Sequence, residues 1–93
     1  MQLFGQSESE RLGQIALQLT NQFRANPSEY HSGGLKPLVW RKELHDIAFV
    51  HSKHMADVNQ LSHDGFNDRY TEARNQIPII GFAENVAYNR RPD

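Results

Sequence analysis

His63 and Glu84 are the two side chains whose type and setting best suit chemistry near neutral pH. His63 lies in Leu61-Ser62-His63-Asp64-Gly65-Phe66, and Glu84 follows in Ala83-Glu84-Asn85-Val86-Ala87-Tyr88. An imidazole and a carboxylate can pass a proton, hold a metal or hydrogen-bond a ligand. His63 sits among turn formers, where an accessible imidazole is free to act. Glu84 shares a face with apolar neighbours, so its carboxylate must be paired, protonated or open to a cleft. A structural salt bridge to Arg69 or Arg74 is the plain alternative to a functional role. The two residues read as half of a site.

The other chemistry-bearing residues have blander readings. His51 falls on the apolar stripe of a helix and reads as a hydrogen-bonded core histidine. His54 completes a His-x-x-His pair with it, but sits at the stripe's edge, and the glutamate of the zincin pattern is missing. His31 and His45 read as exposed. Trp40 ends a proline-containing apolar run, Leu35 to Trp40, that suits a connector clamped against the fold.

The elements that must position these residues are legible from periodicity. Leu12, Ile15, Ala16, Leu19 and Phe23 recur at helical spacing, and Ser7 with Glu10 makes a capping box for a helix over about 8–25. Asn26-Pro27 ends it, because the residue before proline is pushed out of helical conformation. His31-Ser32-Gly33-Gly34 reads as a loop. Leu44, Ile47, Ala48, His51, Met55 and Val58 mark one face of a second helix over about 42–59. Asn67 or Asp68 caps a short third helix through Arg74, burying Phe66, Tyr70 and Ala73. Past Pro78, the alternation of Phe82, Glu84, Val86 and Tyr88 with Ala83, Asn85, Ala87 and Asn89 predicts a strand. The fold class expected is α+β, with about three helices and one main strand.

Composition narrows the partners. Ten basic and eleven acidic residues, interspersed, give a net charge of −1, with no basic block for nucleic acid. No stretch approaches the roughly 20 apolar residues of a membrane span, and the start lacks the basic region and apolar core of a signal peptide. The 93 residues include no cysteine. A chain this size buries only about 60–70% of its unfolded surface, so without disulfides its stability is marginal.

Five motifs in order carry a family resemblance: Leu19 to Ala25, Gly34-Leu35-Lys36-Pro37-Leu38-Val39-Trp40, His51-Ser52 through Met55-Ala56, Ser62-His63, and Glu84-Asn85 with Ala83 where glycine is usual. Over Leu12 to Asn89 the chain resembles the CAP superfamily, or SCP domain, of cysteine-rich secretory, antigen 5 and pathogenesis-related 1 proteins. Lack of cysteine is similar to the family's cysteine-poor bacterial and protist branch. The resemblance implies an α-β-α sandwich, truncated here, because no residue matches the second histidine and second glutamate that follow in the family. Residues 1–93 then form a single incomplete domain, finished by further chain or by another copy.

The function implied is a secreted, extracellular binding or interaction module for a small apolar ligand or a protein. Its ligand cleft would be His63, Glu84 and Asn85, with His63 and Glu84 facing one another across water and room between them for a water or an ion, and its cofactor a divalent metal, zinc, at an incomplete site of His63 and Glu84. A catalytic zinc takes about three protein ligands, so the chain alone is not expected to be catalytic. The alternatives are a metal-assisted hydrolase once the missing half is supplied, and a structural fragment without activity. An open strand edge would favour self-association.

Overall fold

The computed structural model describes residues 6–87, which form three helices: α1 (Gln6–Ala25), α2 (Lys42–Val58) and α3 (Phe66–Gln76). No described helix is long and apolar enough to cross a membrane. The described residues fall into two compact units, 6–41 and 42–87.

In the first unit, α1 starts earlier than its capping pattern suggests, so Ser7 lies inside the first turn. The helix stops at Ala25, before Asn26-Pro27 as expected, and its last carbonyls are satisfied by chain that folds back. The Gly34 N–H donates to Ala25 O at 3.0 Å and the Leu35 N–H to Arg24 O at 3.1 Å. This return needs glycine at 33: its φ is +83°, and a Cβ there would lie 2.6 Å from Pro27 N. The connector then runs along α1. Asn21 donates Nδ2–H to Leu38 O at 3.0 Å and accepts the Leu38 N–H at 2.7 Å, while Arg24 Nε donates to Lys36 O at 3.0 Å. These contacts use the Asn21/Arg24 side of the helix, and the apolar stripe Leu12, Ile15, Leu19 and Phe23 remains exposed. Trp40 is half-buried, and so is His31, expected at the surface; in the second unit His45, also expected there, is half-buried too. The His31 ring stands edge-on to Phe23 with centroids 4.7 Å apart.

In the second unit, α2 buries Ile47, His51 and Met55, spaced by four residues as one helical face requires, and packs on α3, where Ala73 is fully buried. Asn59 ends α2 in the left-handed region, φ 52°. The sequence placed the cap of α3 at Asn67 or Asp68. Instead Gly65, left-handed at φ 83° and without a side-chain cap bond, opens the helix one residue ahead of Phe66. At the far end the Ile77 N–H donates to Ala73 O at 2.9 Å, and Pro78 stops propagation.

The expected strand is not there. Among the described residues there is no strand or sheet, so the fold is all-α and not α+β, and the β layer of an α-β-α sandwich is not formed. Residues 81–87 are extended, and their burial does alternate: Phe82, Glu84 and Val86 turn inward, Ala83, Asn85 and Ala87 outward. A strand also requires a neighbour to complete its hydrogen-bond ladder. Here the segment is held by side chains instead, Phe82 stacking on Tyr70 at 5.4 Å and meeting Phe66 at 5.3 Å. Without a strand, the edge that was to drive self-association has no basis in the described residues. Tyr88 and Asn89 of the predicted strand lie outside them.

Candidate functional site

Three elements of the second unit converge on one carboxylate. Glu84 comes from the extended segment, Arg69 from the first turn of α3, and His63 from the turn between α2 and α3. The Arg69 guanidinium forks the carboxylate, Nε donating to Oε2 at 2.5 Å and Nη2 to Oε1 at 2.7 Å. His63 Nδ1–H donates to the same Oε1 at 2.8 Å, so this nitrogen carries a proton and Nε2 is left for another partner. Arg69 and Glu84 are only 11% and 12% exposed, whereas His63 is 53% exposed, so the ion pair is sheltered while the imidazole reaches water.

Arg69 also ties the turn to the helix. Its Nη1 donates to Asp64 O at 2.6 Å and its Nη2 to His63 O at 3.2 Å. All three guanidinium nitrogens are therefore engaged: Nε on the carboxylate, Nη1 on a backbone carbonyl, and Nη2 on both the carboxylate and a carbonyl. The fork dominates the electrostatics: the Arg69 hydrogen bonds, helped by that of His63, outweigh the cost of burial and hold the Glu84 carboxyl down at about 2. Glu84 is an anion across the physiological range.

His63 and Glu84 thus come together, as a direct hydrogen bond with no room for a water or ion between them. Of the two cations proposed as structural partners for Glu84, Arg69 takes it, while Arg74 lies over the Tyr70 ring at 4.7 Å. Asn85 points to the exposed side of the same segment. His51 is a core histidine, its Nε2–H donating to Ser62 O at 2.8 Å and so pinning the turn that carries His63. His54, three positions on, is exposed.

Two recesses adjoin the pair. One, of about 310 Å³, is walled by Leu44, Ile47 and Ala48 of α2 and by Ile79 and Phe82, with Glu84 and Asn85 as its polar side. The other, of about 420 Å³, is more polar and includes His51, His54, Asp64, Arg69 and Glu72. Arg69 in one wall is bonded to Glu84 in the other.

His63 and Glu84, as arranged, do not fit a divalent ion held between them. They offer two donors where a catalytic zinc takes three, His63 Nδ1 is committed to Glu84, and both carboxylate oxygens already face a guanidinium that stays charged. Sequence reasoning named Arg69 only as a possible structural partner. Its fifteen-residue separation from Glu84 carries no local signal, although an arginine one turn into a helix that follows a turn histidine is placed to reach back.

No curated protein and no solved structure matches the chain. The family model for the cysteine-rich secretory protein family, CAP, matches residues 17–91, a span that takes in the connector, α2, the His63 turn, α3 and Glu84. The chain belongs to the CAP family.

Proposed function

We propose that this chain acts as a secreted CAP-type binding module, not as an enzyme by itself, and that its second unit takes a small apolar ligand beside Glu84 and Asn85. The observation that carries this reading is the recess of about 310 Å³ walled by Leu44, Ile47, Ala48, Ile79 and Phe82. A concave, mainly apolar site with few polar groups is what a small ligand with one polar end requires. The state of Glu84 supports binding over catalysis. A general acid or base works best with a pKa near the operating pH, and a carboxyl held at about 2 is too weak a base and has no proton to give. Extracellular placement belongs to the same reading and is supported by family membership.

The test is a titration of the ¹⁵N-labelled chain with n-dodecanol, followed by amide chemical shifts. Saturable shifts at Leu44, Ile47, Phe82 and Asn85, abolished by Ala48→Trp, are expected, because the indole would fill the recess from α2. Unsaturable shifts spread over the chain, or binding indifferent to Ala48→Trp, would overturn the reading.

A further inference from the structure

We propose that Arg69 performs at this site the task a divalent ion would otherwise have to perform, so that Glu84 and His63 form a metal-independent, cation-locked pair. The inference does not depend on what the neighbouring recess holds.

The first argument is charge. A sheltered carboxylate needs a cation close by, and Arg69 supplies one in fork geometry, with bonds of 2.5 and 2.7 Å to the two oxygens. Unlike a metal-bound water or a lysine, guanidinium cannot lose its proton to make way for a second cation. A zinc ion bound to Glu84 would stand against a fixed positive charge in a sheltered place, where repulsion is weakly screened. To remove that charge it would have to displace a side chain that also holds His63 O and Asp64 O.

The second argument is independent of charge: the turn leaves room for Arg69. Gly65, at φ +83°, opens α3, a conformation that favours glycine in its own right. A Cβ at that position would lie 2.9 Å from Arg69 Nη1, so the guanidinium uses the space beside the glycine.

The third argument concerns the product of the arrangement. With Nδ1–H committed to Glu84, His63 keeps Nε2 for other partners on a half-exposed ring. A metal on Glu84 would compete for that orientation, whereas Arg69 bonds the carboxylate while leaving the imidazole hydrogen bond in place. The pair is an orientated imidazole whose carboxylate partner has its charge balanced by the protein itself.

The test uses the full chain and ZnCl₂, read by long-range ¹H–¹⁵N spectra of the histidine rings, in which His63 is assigned by His63→Gln. Expected for the wild type are His63 ring signals that do not move with equimolar zinc, whatever the other histidines do. Arg69→Met should let zinc shift or broaden His63, with an apparent affinity there at least roughly tenfold tighter than in wild type once the neighbouring positive charge is gone, and adding Glu84→Gln should undo the gain. Zinc shifts at His63 in the wild type overturn the proposal, and so does an Arg69→Met chain in which His63 gains nothing. If Arg69→Met loses the helical circular dichroism of the wild type, Arg69→Lys takes its place, since an ammonium cannot fork both oxygens. A smaller gain at His63 is then expected, and no gain overturns the proposal.

Discussion

Removing the guanidinium from Arg69 should be among the more damaging single side-chain changes in residues 42–87. In Arg69→Met the aliphatic stem is kept, but Glu84 loses both arms of its fork and the carbonyls of His63 and Asp64 lose their donors. Removing one partner of a fully buried ion pair costs about 3–5 kcal/mol. Here both partners are about one-tenth exposed and His63 still bonds Glu84, so some water relieves the orphaned charge and the cost falls to roughly 2–3 kcal/mol. That is a large share of the total, since native chains hold only about 0.05–0.15 kcal/mol per residue. The buried apolar residues, Ile47, Met55, Ala73 and Ile77, form a small core with little to spare. Urea titrations followed by far-UV circular dichroism measure the loss. A double-mutant cycle with Glu84→Gln should return a coupling of about 1–2 kcal/mol. A cost under about 0.5 kcal/mol, or strict additivity in the cycle, would place the pair among ordinary surface contacts and refute the reasoning.

Further outcomes follow from the same geometry. The Glu84 pKa is depressed in the folded chain, so its contribution to stability is fully present above the unfolded value of 4.5 and is lost as pH falls through about 2. The full shift corresponds to about 3 kcal/mol, and screening reduces this to roughly 1–2 kcal/mol; the urea midpoint should drop between pH 6 and pH 2.5 more steeply in the wild type than in Glu84→Gln. Gly65→Ala should cost about 1–2 kcal/mol from left-handed strain and crowding of Arg69, with Gly65→Asn milder, because asparagine tolerates that region; equal melting curves for the two variants would count against the left-handed strain. His51→Phe removes the donor to Ser62 O and should cost about 1–3 kcal/mol while loosening the turn, seen as faster amide exchange at residues 62–65; unchanged exchange would show that His51 does not pin it.

How far the sequence could be read depended on whether a feature is local. The α2 stripe was legible because burial of Ile47, His51 and Met55 obeys the helical period, and the Asn26-Pro27 stop was legible because proline acts on its own neighbour. The start of α3 was misplaced because a glycine in left-handed conformation replaced the side-chain cap that the rule looks for. In residues 81–87 the alternation correctly sorted Glu84 inward with Phe82 and Val86, but alternation reports which side is covered, not whether a backbone partner exists. The pairing of His63 with Glu84 was foreseen from family motifs. That the contact would be direct, and that Arg69 would close it, depends on how a turn, a helix and an extended segment meet, which no spacing encodes.

The account rests on Glu84 being a carboxylate locked by Arg69, and the most direct measurement is a pH titration of the Glu84 side-chain carboxyl by ¹³C NMR on the full chain. The account predicts a carboxyl that remains ionised through pH 4 and protonates at about 2, and that moves back toward 4.5 in Arg69→Met. A wild-type Glu84 that titrates at 4.5 or above would contradict it.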